Sequence, residues 1–119
     1  MIKNYTVYHL HTMYSLLDSS THFEDYVDKA KELGMKTIGF SEHGNTYGWL
    51  KKKMYAEKNG LKFLFGIECY LTETHEEKIR DNYHTILIAK NLQGMEEINK
   101  LFFNYTYREH TYYIPRLSF

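Results

Sequence analysis

The 119-residue sequence holds a single cysteine, Cys69, so an internal disulfide is excluded and a reducing cytoplasm is the expected setting. It has no excess of charge: fifteen Lys and Arg balance fifteen Asp and Glu. The chain therefore lacks the global positive field that gives proteins a non-specific hold on nucleic acid, and any such contact must be local. No run approaches the length of an apolar membrane-spanning helix, and nothing near Met1 resembles a secretion signal. A glycine-rich phosphate cradle, a nucleophile elbow and a CxxC pair are all missing. Nucleotide kinase, serine hydrolase and zinc-ribbon readings thus have no support. Internal repeats, low-complexity tracts and linkers are missing too, so residues 1–119 read as one domain.

What is present is a chain that is 43% hydrophobic and 17% aromatic, enough for one ordinary core. Tyr5–Leu10 reads as a first strand ending at the His9–His11 segment. Thr21-His22-Phe23-Glu24 matches a capping box, and Phe23, Tyr26, Val27, Ala30 and Leu33 follow at helical spacing up to Gly34. Thr37–Phe40 reads as a short apolar strand, Ser41–Gly48 as a polar turn, and Trp49–Lys58 as a helix stopped by Asn59-Gly60. A strand at Lys62–Leu71, a solvated loop at Thr72–Asn82 and a strand at Thr85–Ala89 come next. A helix at Gln93–Arg108 and an extended tail from Tyr112 through Pro115 complete the pattern. This alternation predicts an α/β fold with a parallel sheet, either open or an arc of a barrel. About four strands are too few to close a barrel, which usually takes about 250 residues.

The candidate chemistry lies at strand ends. His9 and His11 are two residues apart in an extended segment, so both imidazoles share a face and can grip one ion. Glu42-His43 follows the second strand and Glu68 follows the apolar run Phe63–Ile67. Parallel strands deliver such ends to one rim, where imidazoles and carboxylates form a donor set suited to zinc, manganese or iron. Glu68 is the candidate bridge between ions, and His43 the likelier ligand of its pair. Glu42 either orients a neighbouring histidine or is a solvated turn residue. Asp18 suits helix capping or metal ligation, with capping favoured by position alone. His84 stands at the start of its apolar run and would face the wrong rim unless that strand is antiparallel or begins earlier. His22, His75 and His110 read as solvated, Cys69 as a small core residue, and Lys51–Lys53 as a solvated basic face.

Taken in order, His9-Leu10-His11-Thr12, Tyr14-Ser15-Leu16-Leu17-Asp18, Glu42-His43-Gly44-Asn45, Gly66-Ile67-Glu68 and Tyr83-His84 resemble the polymerase and histidinol phosphatase (PHP) superfamily. The Ala89-Lys90-Asn91 and Tyr112–Leu117 segments extend the likeness, more narrowly to the PHP domain that opens bacterial C-family polymerase III alpha subunits. The resemblance implies a distorted β/α barrel, of which this chain is the N-terminal half. It implies His9, His11, Asp18, His43, Glu68 and His84 as metal positions, which overrules capping for Asp18. It also implies metal-assisted phosphoester hydrolysis without a protein nucleophile, and in some polymerases 3′–5′ exonuclease action on DNA. Glu42 departs from the family's usual Asp at that position. The family's later cysteine ligand and its final Asp-x-His pair would fall beyond Phe119. Expected partners are therefore the remainder of an alpha subunit or a second, edge-paired copy of the chain, with no membrane. The alternatives are a free-standing phosphoesterase completed by dimerisation and a noncatalytic interaction module.

Overall fold

A computed structural model describes residues 4–74, 82–105, 111–112 and 114–118. Three helices, α1 (Phe23–Glu32), α2 (Trp49–Lys58) and α3 (Leu92–Tyr105), alternate with strands β1 (Thr37–His43), β2 (Lys62–Thr72) and β3 (Tyr83–Ile88). The short strands β4 (Thr111–Tyr112), β5 (Ile114–Pro115) and β6 (Leu117–Ser118) follow. β1, β2, β3 and β6 form a four-stranded sheet. β1 and β2 run parallel with His43 beside Glu68, and β6 joins β2 in parallel at Leu71 and Thr72. β3 is antiparallel to β2, with Tyr70 opposite His84, so the sheet is mixed rather than wholly parallel.

The α1 sequence buries Phe23, Val27 and Ala30, a four-then-three spacing that makes one apolar stripe. α2 buries Trp49, Lys52 and Ala56. Both stripes close on β1 and β2, where Val27, Ile38, Phe40, Ala56 and Ile67 are fully buried. Burying a side chain such as Phe40 contributes about 1.5–3 kcal/mol. The Trp49 indole N–H donates to the Gly66 carbonyl at 3.2 Å and so ties α2 to β2. Gly66 has to be glycine because a Cβ there would lie 2.7 Å from the Phe40 carbonyl oxygen.

Several expectations need correction. Tyr5–Leu10 forms no strand, and its only bridge joins Val7 to Ile38. Gly39 N–H donates to Val7 O, and Ser41 N–H, two residues on, donates to Leu10 O, three residues on. That two-against-three count is a bulge, which interrupts regular pairing just before the histidines. β6 supplies the fourth strand instead. β1 runs on through Ser41, Glu42 and His43, so the polar turn begins later than the sequence suggests; the parallel ladder with β2 holds these residues extended. The capping box does not form, because His22 is the N-cap and makes no side-chain cap bond. β3 begins at Tyr83, and α3 begins at Leu92. The expected end of α3 at Arg108, most of the Thr72–Asn82 loop, His75 and His110 lie outside the described residues.

Candidate metal centre

The parallel β1–β2 register sets His43 and Glu68 side by side at the same sheet rim. Because β3 is antiparallel, its first residues reach that rim as well, which resolves the placement of His84. The bulged segment before α1 brings His9 and His11 over Glu68 from the other side. The result is a buried carboxylate, 2% exposed, ringed by four imidazoles. Glu68 Oε2 lies 2.7 Å from His9 Nε2 and 3.4 Å from His11 Nε2. Oε1 lies 2.8 Å from His84 Nδ1 and 3.1 Å from His43 Nδ1. His9 and His11 Nε2 are 3.1 Å apart, and the His11 and His43 rings stack at 4.0 Å. His43 Nε2 meets Asp18 Oδ2 at 2.9 Å, so Asp18 does not cap α1.

Among the described residues, two groups of side chains bring ligand atoms within 4.8 Å of one another: His9, His11 and Glu68, and His11, Asp18 and His43. His11 belongs to both. Nitrogen and oxygen ligands at about 2.1 Å from one ion are themselves about 3.0–3.4 Å apart, depending on octahedral or tetrahedral geometry. The separations around Glu68 fall near that range. Its Oε1 has two imidazole nitrogens within 3.1 Å, yet neither has hydrogen-bond geometry toward it, and the atom is buried without a hydrogen bond. Lone pairs packed together in this way fit a shared cation better than a network of hydrogen bonds.

Electrostatics agree with that fit. Burial would raise the Glu68 pKa, but the His9 hydrogen bond and the charges of His43, His11 and His84 outweigh it and hold it below the ordinary carboxylate value. Burial and then repulsion from His43 push the His11 pKa down, which favours the neutral imidazole a metal needs. Cys69, on the opposite face of β2, is a core residue as expected: it is buried, its Sγ donates to Thr85 O at 3.1 Å, and burial pushes its pKa up to about 11. His22 is exposed at the α1 N-cap, away from the rim.

Behind the rim lies a second buried carboxylate, Glu42, which the sequence offered either as orienting a neighbouring histidine or as a solvated turn residue; its burial removes the second of these. Glu42 is 1% exposed. It accepts from Lys52 Nζ at 2.8 Å, from the Thr12 N–H and hydroxyl, and from the Ser15 hydroxyl. Burial works to raise its pKa, and the hydrogen bonds from Lys52, Ser15 and Thr12 overcome that and lower it. Lys52 is therefore not part of a solvated basic face. It is fully buried, with its ammonium about 5 Å from the Tyr14 and Phe40 rings. Burial lowers its pKa against the opposing pull of Glu42. Its neighbour Lys51 is exposed, and Lys53 pairs with Glu57. Thr12, Ser15, Lys52 and Tyr70 are the residues sequence reasoning missed. The Tyr70 hydroxyl lies 3.0 Å from His43 Nδ1. Tyr70 could have been found from its two-residue offset from Glu68, and Lys52 from its place in the Trp49–Ala56 stripe.

The loop that carries Asp18 turns at Leu17, whose φ of 67° is the only positive value at a non-glycine among the described residues. Gly44, at φ 60°, turns the chain just after His43, with the Tyr70 ring packed against it.

An α/β sheet whose strand ends gather imidazoles around a buried carboxylate offers a nitrogen and oxygen donor set of the kind that divalent metal ions accept. The PHP domain family matches residues 8–118, and the chain belongs to that family. It is 38% identical to the DNA polymerase III alpha subunit of Aquifex aeolicus across 100% of this chain and 11% of that protein. Identity to the same subunit of Borreliella burgdorferi is 37%, over 92% of this chain and 10% of that one. The chain thus spans about a tenth of the length of these relatives. A solved structure of a candidate metal-dependent phosphoesterase from Bifidobacterium adolescentis shares the fold. It has a TM-score of 0.60 and 24% identity, covering 85% of this chain and 33% of that one. No helix among the described residues is long and apolar enough to cross a membrane.

Proposed function

We propose that this chain supplies the first ligand set of a divalent-metal phosphoesterase centre in a replicative DNA polymerase III alpha subunit. Its substrate there is the phosphodiester at a DNA 3′ end, and its setting is the cytoplasm. His9, His11, Asp18, His43, Glu68 and His84 would hold the ions, with Glu68 the candidate to be shared between them. The mixed nitrogen and oxygen set suits zinc, manganese or iron. The observation that carries this reading is the buried Glu68, whose Oε1 has no hydrogen bond while two imidazole nitrogens crowd it.

Bound ions would supply an activated water and a clamp on phosphate oxygens. The chain's own part is to present neutral imidazoles: the lowered His11 pKa serves that end. Tyr70, at 3.0 Å from His43 Nδ1, holds that ring in place. His9 and His84, whose side chains are 51% and 60% exposed, leave the rim open for a phosphate to approach.

Elemental analysis of untagged protein purified without chelator tests the reading, with His9→Ala/His11→Ala as control. One or more metal equivalents, lost in the double variant, are expected. Metal-free wild-type protein would remove the catalytic reading and leave a noncatalytic polymerase-derived module. Where metal is bound, release of nucleotides from a 3′-labelled strand by the chain alone would favour a free-standing enzyme. Release only with the rest of an alpha subunit present would favour the polymerase assignment.

A further inference from the structure

The Ser15 hydroxyl sits where the two buried carboxylate systems meet. It has one hydrogen to donate and two lone pairs to accept with. Three groups surround it: Glu42 Oε2 within short hydrogen-bond distance, the His43 backbone N–H at 3.1 Å, and His11 Nδ1 at 3.3 Å. The His43 N–H can only donate. An ionised Glu42 can only accept, and the Lys52 ammonium 2.8 Å from its Oε1 keeps it so in a pocket closed to water. The single Ser15 hydrogen is thereby committed to Glu42, and the remaining lone pair must receive a hydrogen from His11.

We infer that the Lys52–Glu42–Ser15 chain fixes His11 as its Nδ1–H tautomer, which leaves the Nε2 lone pair directed at the Glu68 cluster, and that Lys52 is the positioning residue at the far end. The bulge before β1 and the Thr12–Ser15 turn make this contact, since the Ser15 N–H bonds Thr12 O and Thr12 in turn holds Glu42 by both its amide and its hydroxyl. Lys52 comes from α2, which packs on the other side of Glu42. One ammonium on the helix layer thus sets which nitrogen of a rim histidine is bare. The ligand role of His11 rests on the function proposed above; its tautomer does not.

The test is long-range proton–nitrogen correlation on the nitrogen-labelled full chain, stripped of metal, at about pH 8. Wild-type His11 is expected to show a protonated Nδ1 and a bare Nε2. Lys52→Met and Ser15→Ala are each expected to convert it to the Nε2–H form that free imidazole prefers, whereas Lys52→Arg keeps the wild-type pattern. If Lys52→Met does not fold, Ser15→Ala decides. An Nε2–H signature in wild type, or no change in Ser15→Ala, overturns the inference. Zinc titration of the same samples separates it from the function: Ser15→Ala is expected to bind zinc about 10–100-fold more weakly. If wild type shows the Nδ1–H form and Ser15→Ala loses it while neither takes up zinc, the tautomer inference holds and the metal reading falls.

Discussion

Glu42 and Glu68 are both buried glutamates on adjacent parallel strands, and both are held below their ordinary pKa. Their surroundings differ in kind. Glu42 is saturated: every neighbour is a donor, and one is a full positive charge. Glu68 faces four imidazoles, of which His9 hydrogen-bonds Oε2, while Oε1 is left without a hydrogen bond although two ring nitrogens crowd it. Burial of an acid alone therefore says little about its role. The donors around it separate a structural carboxylate from one placed for a cation.

The largest effect expected from breaking this contrast is at Lys52. Lys52→Met leaves Glu42 buried and unpaired and should cost about 3–5 kcal/mol in urea unfolding. Glu42→Leu/Lys52→Met should recover much of that loss, because no uncompensated charge remains. Glu68→Gln should behave in the opposite way, with a change of only about 1 kcal/mol in metal-free stability but loss of bound metal in elemental analysis. A Glu68→Gln variant that unfolds like Lys52→Met would erase the distinction.

Acid titration sharpens it further. Both acids have folded pKa values depressed below the ordinary 4.5, so the unfolded chain takes up their protons first. Each contributes stability that is present above about pH 4.5 and is lost as pH falls through its lower folded value. The His11 pKa is likewise lowered from 6.5, so its contribution is present above that value and begins to fall away below it. Urea midpoints of chelated protein should therefore drop in two stages on acidification. Glu42→Gln should reduce only the lower stage, and His11→Asn only the upper.

The smallest effect is expected in the turn that joins the two acids' surroundings. Leu17, between Ser15 and Asp18, is fully exposed in the left-handed region. Leu17→Gly should raise stability by about 0.5–1 kcal/mol, the relief of strain less the entropy of glycine. Metal content should not change. A loss of metal with the gain in stability would show that the strain helps to place Asp18.

Much of the fold could be read from local pattern. The α2 boundaries match, because Asn59-Gly60 stops a helix by its own backbone preference. The Tyr5–Leu10 strand failed because a bulge depends on which residues of β1 lie alongside, and no local pattern carries that. At the site, His9, His11, His43 and Glu68 could be picked out as strand-end residues, whereas His84 was expected at the wrong rim unless its strand was antiparallel or began earlier, and the structure brings all five together. Lys52 could not be read correctly, and Glu42 was left between two roles, since a charged residue in a polar stretch looks solvated until its partner is known.

The order and type of the elements from α1 to α3 and the strand-end candidates His9, His11 and His43 were determined by the sequence alone, since both follow from periodicity and from residues that seldom serve as core. Tertiary structure alone decided that β3 runs antiparallel and so brings His84 to the rim. It also decided that a lysine on a helix and a glutamate on a strand neutralise each other in the interior, and that one serine hydroxyl links that pair to His11. Each of these depends on contacts between groups far apart in the chain, where hydrogen bonds and charge pairing act on distance in space rather than on distance in sequence.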